Sequence, residues 1–173
     1  LEAEGVLLWR GSRRLEADEL TVTAATAPLL RTDVRALTLT TTGSGNVQVW
    51  EADGVELVEV EIADGALLVD AAGTIRALSV ISLTNAEAAD ITLIAQSGNI
   101  EVGSVSAGVY GVVGFREVSP GVFEPIPDQE PTTSLGDVTL QASDGAIVEI
   151  DPEDDEADVV ADRVTLAAYG GSV

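Results

Sequence analysis

Six carboxylates crowd into the eight residues Asp151-Pro-Glu-Asp-Asp-Glu-Ala-Asp158. Oxygen ligands at this density could hold Ca²⁺, with Asp151, Glu153, Asp154, Asp155, Glu156 and Asp158 as the candidate set. The glycine and alternating spacing of EF-hand and RTX-type loops are missing, so the simpler reading is a solvated acidic loop between Ile150 and Val159. A third reading makes the run a docking face for a basic partner. A second set of carboxylates, Asp53, Asp64, Asp90 and Asp144, could supply a pair for glycan cleavage. Asp53, Asp64 and Asp144 each precede Gly, however, where Asp is an ordinary turn residue. Trp9, Trp50, Tyr110, Phe115 and Phe123 could stack on sugars, but so few aromatics read more simply as core or interface anchors. No catalytic residue is assigned, and the chain is read as a non-enzyme.

Missing side chains narrow the chemistry further. The 173 residues include no His, Cys, Met or Lys. That removes imidazole bases, the usual zinc and copper ligands, thiolates, disulfides, Schiff bases and P-loops. Thirty acids against eight Arg leave a net charge of −22. Such a charge repels phosphate backbones and anionic lipid surfaces, so nucleic acid and membrane surfaces are poor partners. Cations, basic proteins, cell-surface or matrix components and copies of the chain itself remain. No run approaches the roughly 18 apolar residues of a spanning helix. With no recognisable signal peptide and no initiator Met, the chain reads as a mature product or part of a longer protein. With 46% apolar and 22% charged residues it has the composition of a folded domain, not a disordered one.

The elements that must position these residues are strands. Val, Ile and Thr supply 47 of the 173 residues, in short alternating runs separated by Gly, Asn, Asp and Ser. Only Thr84 to Asp90 has the composition of a short helical turn. A ten-residue phrase, apolar-Thr-apolar-x-Ala-x-x-Gly-x-apolar, recurs with starts at 20, 37, 66, 91, 138 and 164, the copy at 20 lacking the Gly and the copy at 37 carrying one extra residue. The tetrad Ser44-Gly-Asn-Val47 returns as Ser97-Gly-Asn-Ile100. The gap of 47 between 91 and 138 reads as two periods with one rung obscured. Repeats of this length, each with short strands and a Gly turn, predict a parallel β-solenoid. About seven coils at roughly 4.8 Å each would make a rod of roughly 35 Å. Antiparallel sandwiches are the rival, but would not need the same Gly and Thr in every period.

The expected organisation is one solenoid domain over 1–173, with 103–135 an inserted excursion and 1–16 a capping or docking segment. Val112–Val118 and Val122–Ile126 flank Ser119-Pro-Gly121 and predict a hairpin carrying Phe115 and Phe123 as interface anchors. Residues 1–35 hold five of the eight Arg and balance at −1, while 36–173 balance at −21. Ala161-Asp-Arg-Val-Thr-Leu-Ala-Ala168 restates Ala17-Asp-Glu-Leu-Thr-Val-Thr-Ala24. Head-to-tail continuation follows as an expectation, with Arg10, Arg13 and Arg14 near a neighbour's acidic loop and Val6, Leu7, Leu8 and Trp9 adding a strand. Paired Thr at 21 and 23, 38 and 40, and 40 and 42 raise a further reading, a flat ice- or crystal-binding face.

The x-Thr-Leu-x-Ala-x-x-Gly-x-Ile phrases, with Ala-Asp-Gly-Val-Glu-Leu and Ala-Asp-Gly-Ala-Leu-Leu-Val between them, resemble the repeats of filamentous-haemagglutinin-type and other large bacterial surface exoproteins. The resemblance covers most of 17–102 and 136–173. It implies a right-handed β-helix in a secreted or surface-anchored fibre, filament or adhesin, and transfers no catalytic residue. The expected function is therefore an extracellular, cell-surface structural protein that assembles with itself. The alternative is a β-helical module that binds or cleaves carbohydrate.

Overall fold

The computed structural model describes residues 14–109, 135–152 and 158–173, together with the backbone of strands Glu2–Ala3, Val112–Ser119 and Val122–Pro127. The described chain is all-β and contains no helix. Its main sheet is parallel throughout and winds into a β-solenoid of about four turns.

Each turn has three faces; in the 47–62, 67–82 and 91–107 turns the corners before the first and second faces carry Gly, Asp or Asn, whereas the bend between the second and third carries Val58-Glu59, Leu78-Ser79 and Gly103-Ser104. The first face stacks residues 29–32 of Leu29–Thr41 under Val47–Glu51, Leu67–Ala71, Ile91–Ala95, Val138–Ala142 and Val164–Ala168. On the second, Val55, Ile75, Ile100 and Ile147 lie one above another; on the third, Val60, Val80, Val105 and Val159 do. The uninterrupted turns are 29–41, 47–62, 67–82 and 91–107.

Alternation sends every second side chain inward, where in-register stacking turns single residues into columns. Leu30, Val49, Val69, Leu93 and Leu140 form one column on the first face, each at most 1% exposed. A parallel column at the following corner reads Thr32, Glu51, Ala71, Ala95, Ala142 and Ala168. The repeated Ala of the sequence phrase is this corner position, where the chain bends and little room remains.

The corners are closed by glycine and asparagine. Gly65 has φ +123°, and a methyl group there would strike the carbonyl oxygen of Gly45 one coil below. The two Ser-Gly-Asn tetrads act alike on different corners: Asn46 Oδ1 accepts the Ala66 amide at 3.1 Å, and Asn99 Oδ1 accepts that of Ala146 at 3.0 Å.

Several expectations about period need correction. The phrases at 20 and 37 stack on each other but lie across the second and third faces, whereas those at 91, 138 and 164 lie on the first. Counting them together inflated four turns to seven. The same difference separates 161–168 from 17–24, so their likeness marks no equivalent coil position. The copy at 66 is one residue out of step at its start, since Leu67, not Ala66, pairs with Ile91, and realigns by Ile75 opposite Ile100. No rung is hidden in the gap of 47, because Ile91–Ala95 pairs directly with Val138–Ala142. The excursion leaves the solenoid later than residue 103, as Val105–Ala107 is a regular rung on Val80–Ser82. Thr84 to Asp90 is a turn, with the Ala89 amide on the Ala86 carbonyl at 2.9 Å. Val112–Ser119 and Val122–Pro127 pair antiparallel. Near the N-terminus, Glu2 and Ala3 pair with Thr23 and Ala24.

The columns make a sharp contrast testable by urea unfolding. Leu93 and Leu166 share one column, but Leu166 is 42% exposed. Leu93→Ala is expected to cost about 2–5 kcal/mol and Leu166→Ala less than about 1 kcal/mol.

Candidate functional site

Glu51 breaks the corner rule. It stands where four later coils place Ala, and it is 5% exposed. Burying a carboxylate is costly unless donors surround it. Here the Val34 amide reaches Oε1 and Oε2 at 3.2 and 3.3 Å, and the Ala52 amide reaches Oε1 at 2.8 Å. Val34 lies one coil below on the strand Leu29–Thr41, and Ala52 lies where the first face turns toward the second. Burial pushes the Glu51 carboxyl above the ordinary glutamate value; hydrogen bonds from Thr32 and from the Ala52, Val34 and Asp53 amides partly oppose that rise.

Charged and aromatic groups collect around this corner. Asp33, Glu51 and Asp53 each bring one carboxylate oxygen within 4.8 Å of the others. Three oxygens at that spacing could hold a hard cation. Asp33, however, already accepts from Arg14 Nη1 at 3.0 Å, and Glu51 is held by amides, so the cluster is largely compensated from within. Arg31 lies over the Trp50 ring, 5.6 Å from its centroid. Arg14, Arg31, Thr32, Trp50, Glu51 and Ala52 line a cavity of about 180 Å³ at the surface.

Sequence-predicted site residues fall elsewhere. Asp151 is exposed and Asp158 half-buried, while Glu153, Asp154, Asp155 and Glu156 lie outside the described residues. The Asp158 carbonyl accepts the Val105 amide at 2.6 Å, so one end of the acidic run is rooted on the third face. Val6, Leu7, Leu8, Trp9, Arg10 and Arg13 also lie outside. Arg14 is described, and it pairs with Asp33 of its own chain. Arg35 likewise binds Asp18 at 2.9 Å and Glu19 at 3.0 Å. Phe115 and Phe123 sit on the two paired strands, with Phe115 opposite Pro125 and Phe123 opposite Glu117.

Of the four candidate aspartates, the two at the first corner do not make a glycosidase pair. Asp53 and Asp144 occupy that corner three coils apart, about 14 Å, beyond the roughly 5–9.5 Å such pairs require. Asp90 Oδ1 is occupied by the Asp137 amide at 2.9 Å. Nor do the named Thr pairs extend into a ladder. Thr21 and Thr23 stack on Thr38 and Thr40, but Glu59 and Glu61 come next. A longer outward file, Thr92, Thr139 and Thr165, runs up the first face.

Sequence reading passed over Thr32, Asp33 and Glu51. The signal was present, since Val47-Gln-Val-Trp-Glu51 is a strand phrase with Glu in the Ala place. The recurring phrase has no copy starting at 47, so nothing in the repeat marks this position. No protein-family model, curated protein or solved structure matches the chain.

The burial of Glu51 has a defined pH consequence. Its folded pKa is raised, so folding favours the protonated acid. Its contribution to stability is greatest below the ordinary glutamate value and is lost as pH rises through the raised one. Tm of the native chain minus that of Glu51→Gln is expected to fall as pH rises from acid to neutral, by thermal unfolding at matched salt. A constant difference would contradict this.

Proposed function

We propose that the chain is a structural segment of an extracellular or cell-surface fibre, filament or adhesin stalk, of the filamentous-haemagglutinin-like kind, built by stacking further coils on its end. The observation that carries this reading is the uncovered continuation of two core columns. Val138 and Leu140 are fully buried, whereas Val164 and Leu166 directly above them are 43% and 42% exposed. Beside them, Val102, Leu140, Ile147, Val159, Leu166 and Val173 line an apolar hollow of about 190 Å³. A parallel edge strand with apolar inward positions is the surface that accepts another strand. The next coil would come from a tandem unit or from a second copy, and the acidic exterior keeps the rod soluble.

At high concentration the 173-residue chain is expected to associate end to end, giving rods in negative-stain images and a mass above 18 kDa by light scattering. Leu166→Arg, at an exposed position, should reduce association at least tenfold while leaving the circular dichroism spectrum unchanged. A monodisperse monomer at low and high salt would sink the assembly reading.

A further inference from the structure

We infer that the corner cavity beside Trp50 is a binding site for a neutral saccharide, one pyranose ring at a time. This goes beyond the structural role and does not depend on end-to-end assembly.

The departure from the repeat is the starting point. Four later coils close this corner with Ala, and the coil 47–62 instead places a buried carboxylate there, beside a tryptophan and two arginines. A rod that needed only stacking would keep the small residue, since a buried carboxylate costs desolvation that a methyl group does not.

The cavity brings arginine donors beside a carboxylate acceptor. Arg31 lies over the Trp50 ring, its Cζ 5.6 Å from the centroid, and no carboxylate among the described residues pairs with it. An exposed guanidinium without an ion-pair partner has N–H groups available to donate. Arg14 spends Nη1 on Asp33 and keeps further N–H groups. Glu51 supplies carboxylate oxygens as acceptors while also taking the Val34 and Ala52 amides; the buried Thr32 hydroxyl is spent on the Trp50 carbonyl at 3.4 Å. Adjacent donors and acceptors beside an aromatic edge suit vicinal hydroxyl groups, each of which both donates and accepts.

Charge selects against the alternatives. An anionic ligand meets Asp33, Glu51 and Asp53 within a chain of net charge −22. A cationic ligand meets Arg14 and Arg31 on the cavity wall. A volume of about 180 Å³ is well below the roughly 300–1,000 Å³ of sites for larger ligands, which limits the occupant to one ring.

Titration of the ¹⁵N-labelled chain with glucose, galactose, mannose and N-acetylglucosamine tests this, read at the Trp50 indole N–H and assigned with Trp9→Phe. At least one neutral sugar is expected to shift that resonance saturably, with a Kd on the order of 1 mM. Arg31→Gln should weaken binding at least tenfold without changing Tm appreciably, whereas Arg163→Gln, away from the cavity, should leave it unchanged. Three results would each overturn the inference: no response to any neutral sugar, an equal response in Arg31→Gln, or a response only to glucuronate or CaCl₂.

Discussion

Among the described residues no strand of the solenoid pairs with another of its own coil, because the segments of a turn lie on different faces. Every ladder hydrogen bond of the solenoid therefore runs along the axis, from one turn to the next. A backbone amide left unpaired in the interior would cost about 1–3 kcal/mol, at least what an average hydrogen bond contributes. Coils can exist only as neighbours of coils. Identical inward positions must then fall in register, and the interior becomes a set of columns.

The column constraint explains what each corner tolerates. Where the first face turns toward the second, the inward position is Ala in four coils, because the bend leaves little volume. Where backbones of successive turns approach most closely, Gly is required, as at Gly65 above Gly45. Outward positions are freer, and there charges organise along the axis instead. Arg76 bridges Glu56 at 2.6 Å on the coil below and Glu101 at 3.4 Å on the coil above. These pairs are partly solvated and add little stability singly. They do place opposite charges one rung apart on a strongly acidic surface, where like charges in the same file would repel.

Against this regular background the 47–62 coil stands out. Its corner departs from the Ala rule, gathers three carboxylates and two arginines, and opens a cavity beside Trp50. Stacking makes no demand for any of these features. The remainder of the molecule agrees across propensity, pattern and packing, and such local disagreement is where chemistry is to be sought in a repeat protein. The excursion after Ala107 differs in kind. It is anchored by Asn85, whose side chain both accepts the Val109 amide at 2.6 Å and donates to the Val109 carbonyl at 2.9 Å, so it leaves the rod at a fixed point.

Sequence alone determined the class of the fold, because period-two alternation and recurring Gly corners are local properties that only strands and turns satisfy. It likewise determined the Pro-Gly-linked strand pair, whose partners are adjacent in the chain. Only the tertiary structure decided phase. A phrase such as Leu-Thr-Leu-Thr reads the same on any face, and its face depends on corner lengths that vary from coil to coil. That is why 47–51 went unrecognised as a rung, why four turns were counted as seven, and why Glu51 was not singled out. Its significance rests on standing in a column with Ala71, Ala95, Ala142 and Ala168, and a column is a relation among residues some 20 to 47 positions apart that exists only once the coils are stacked.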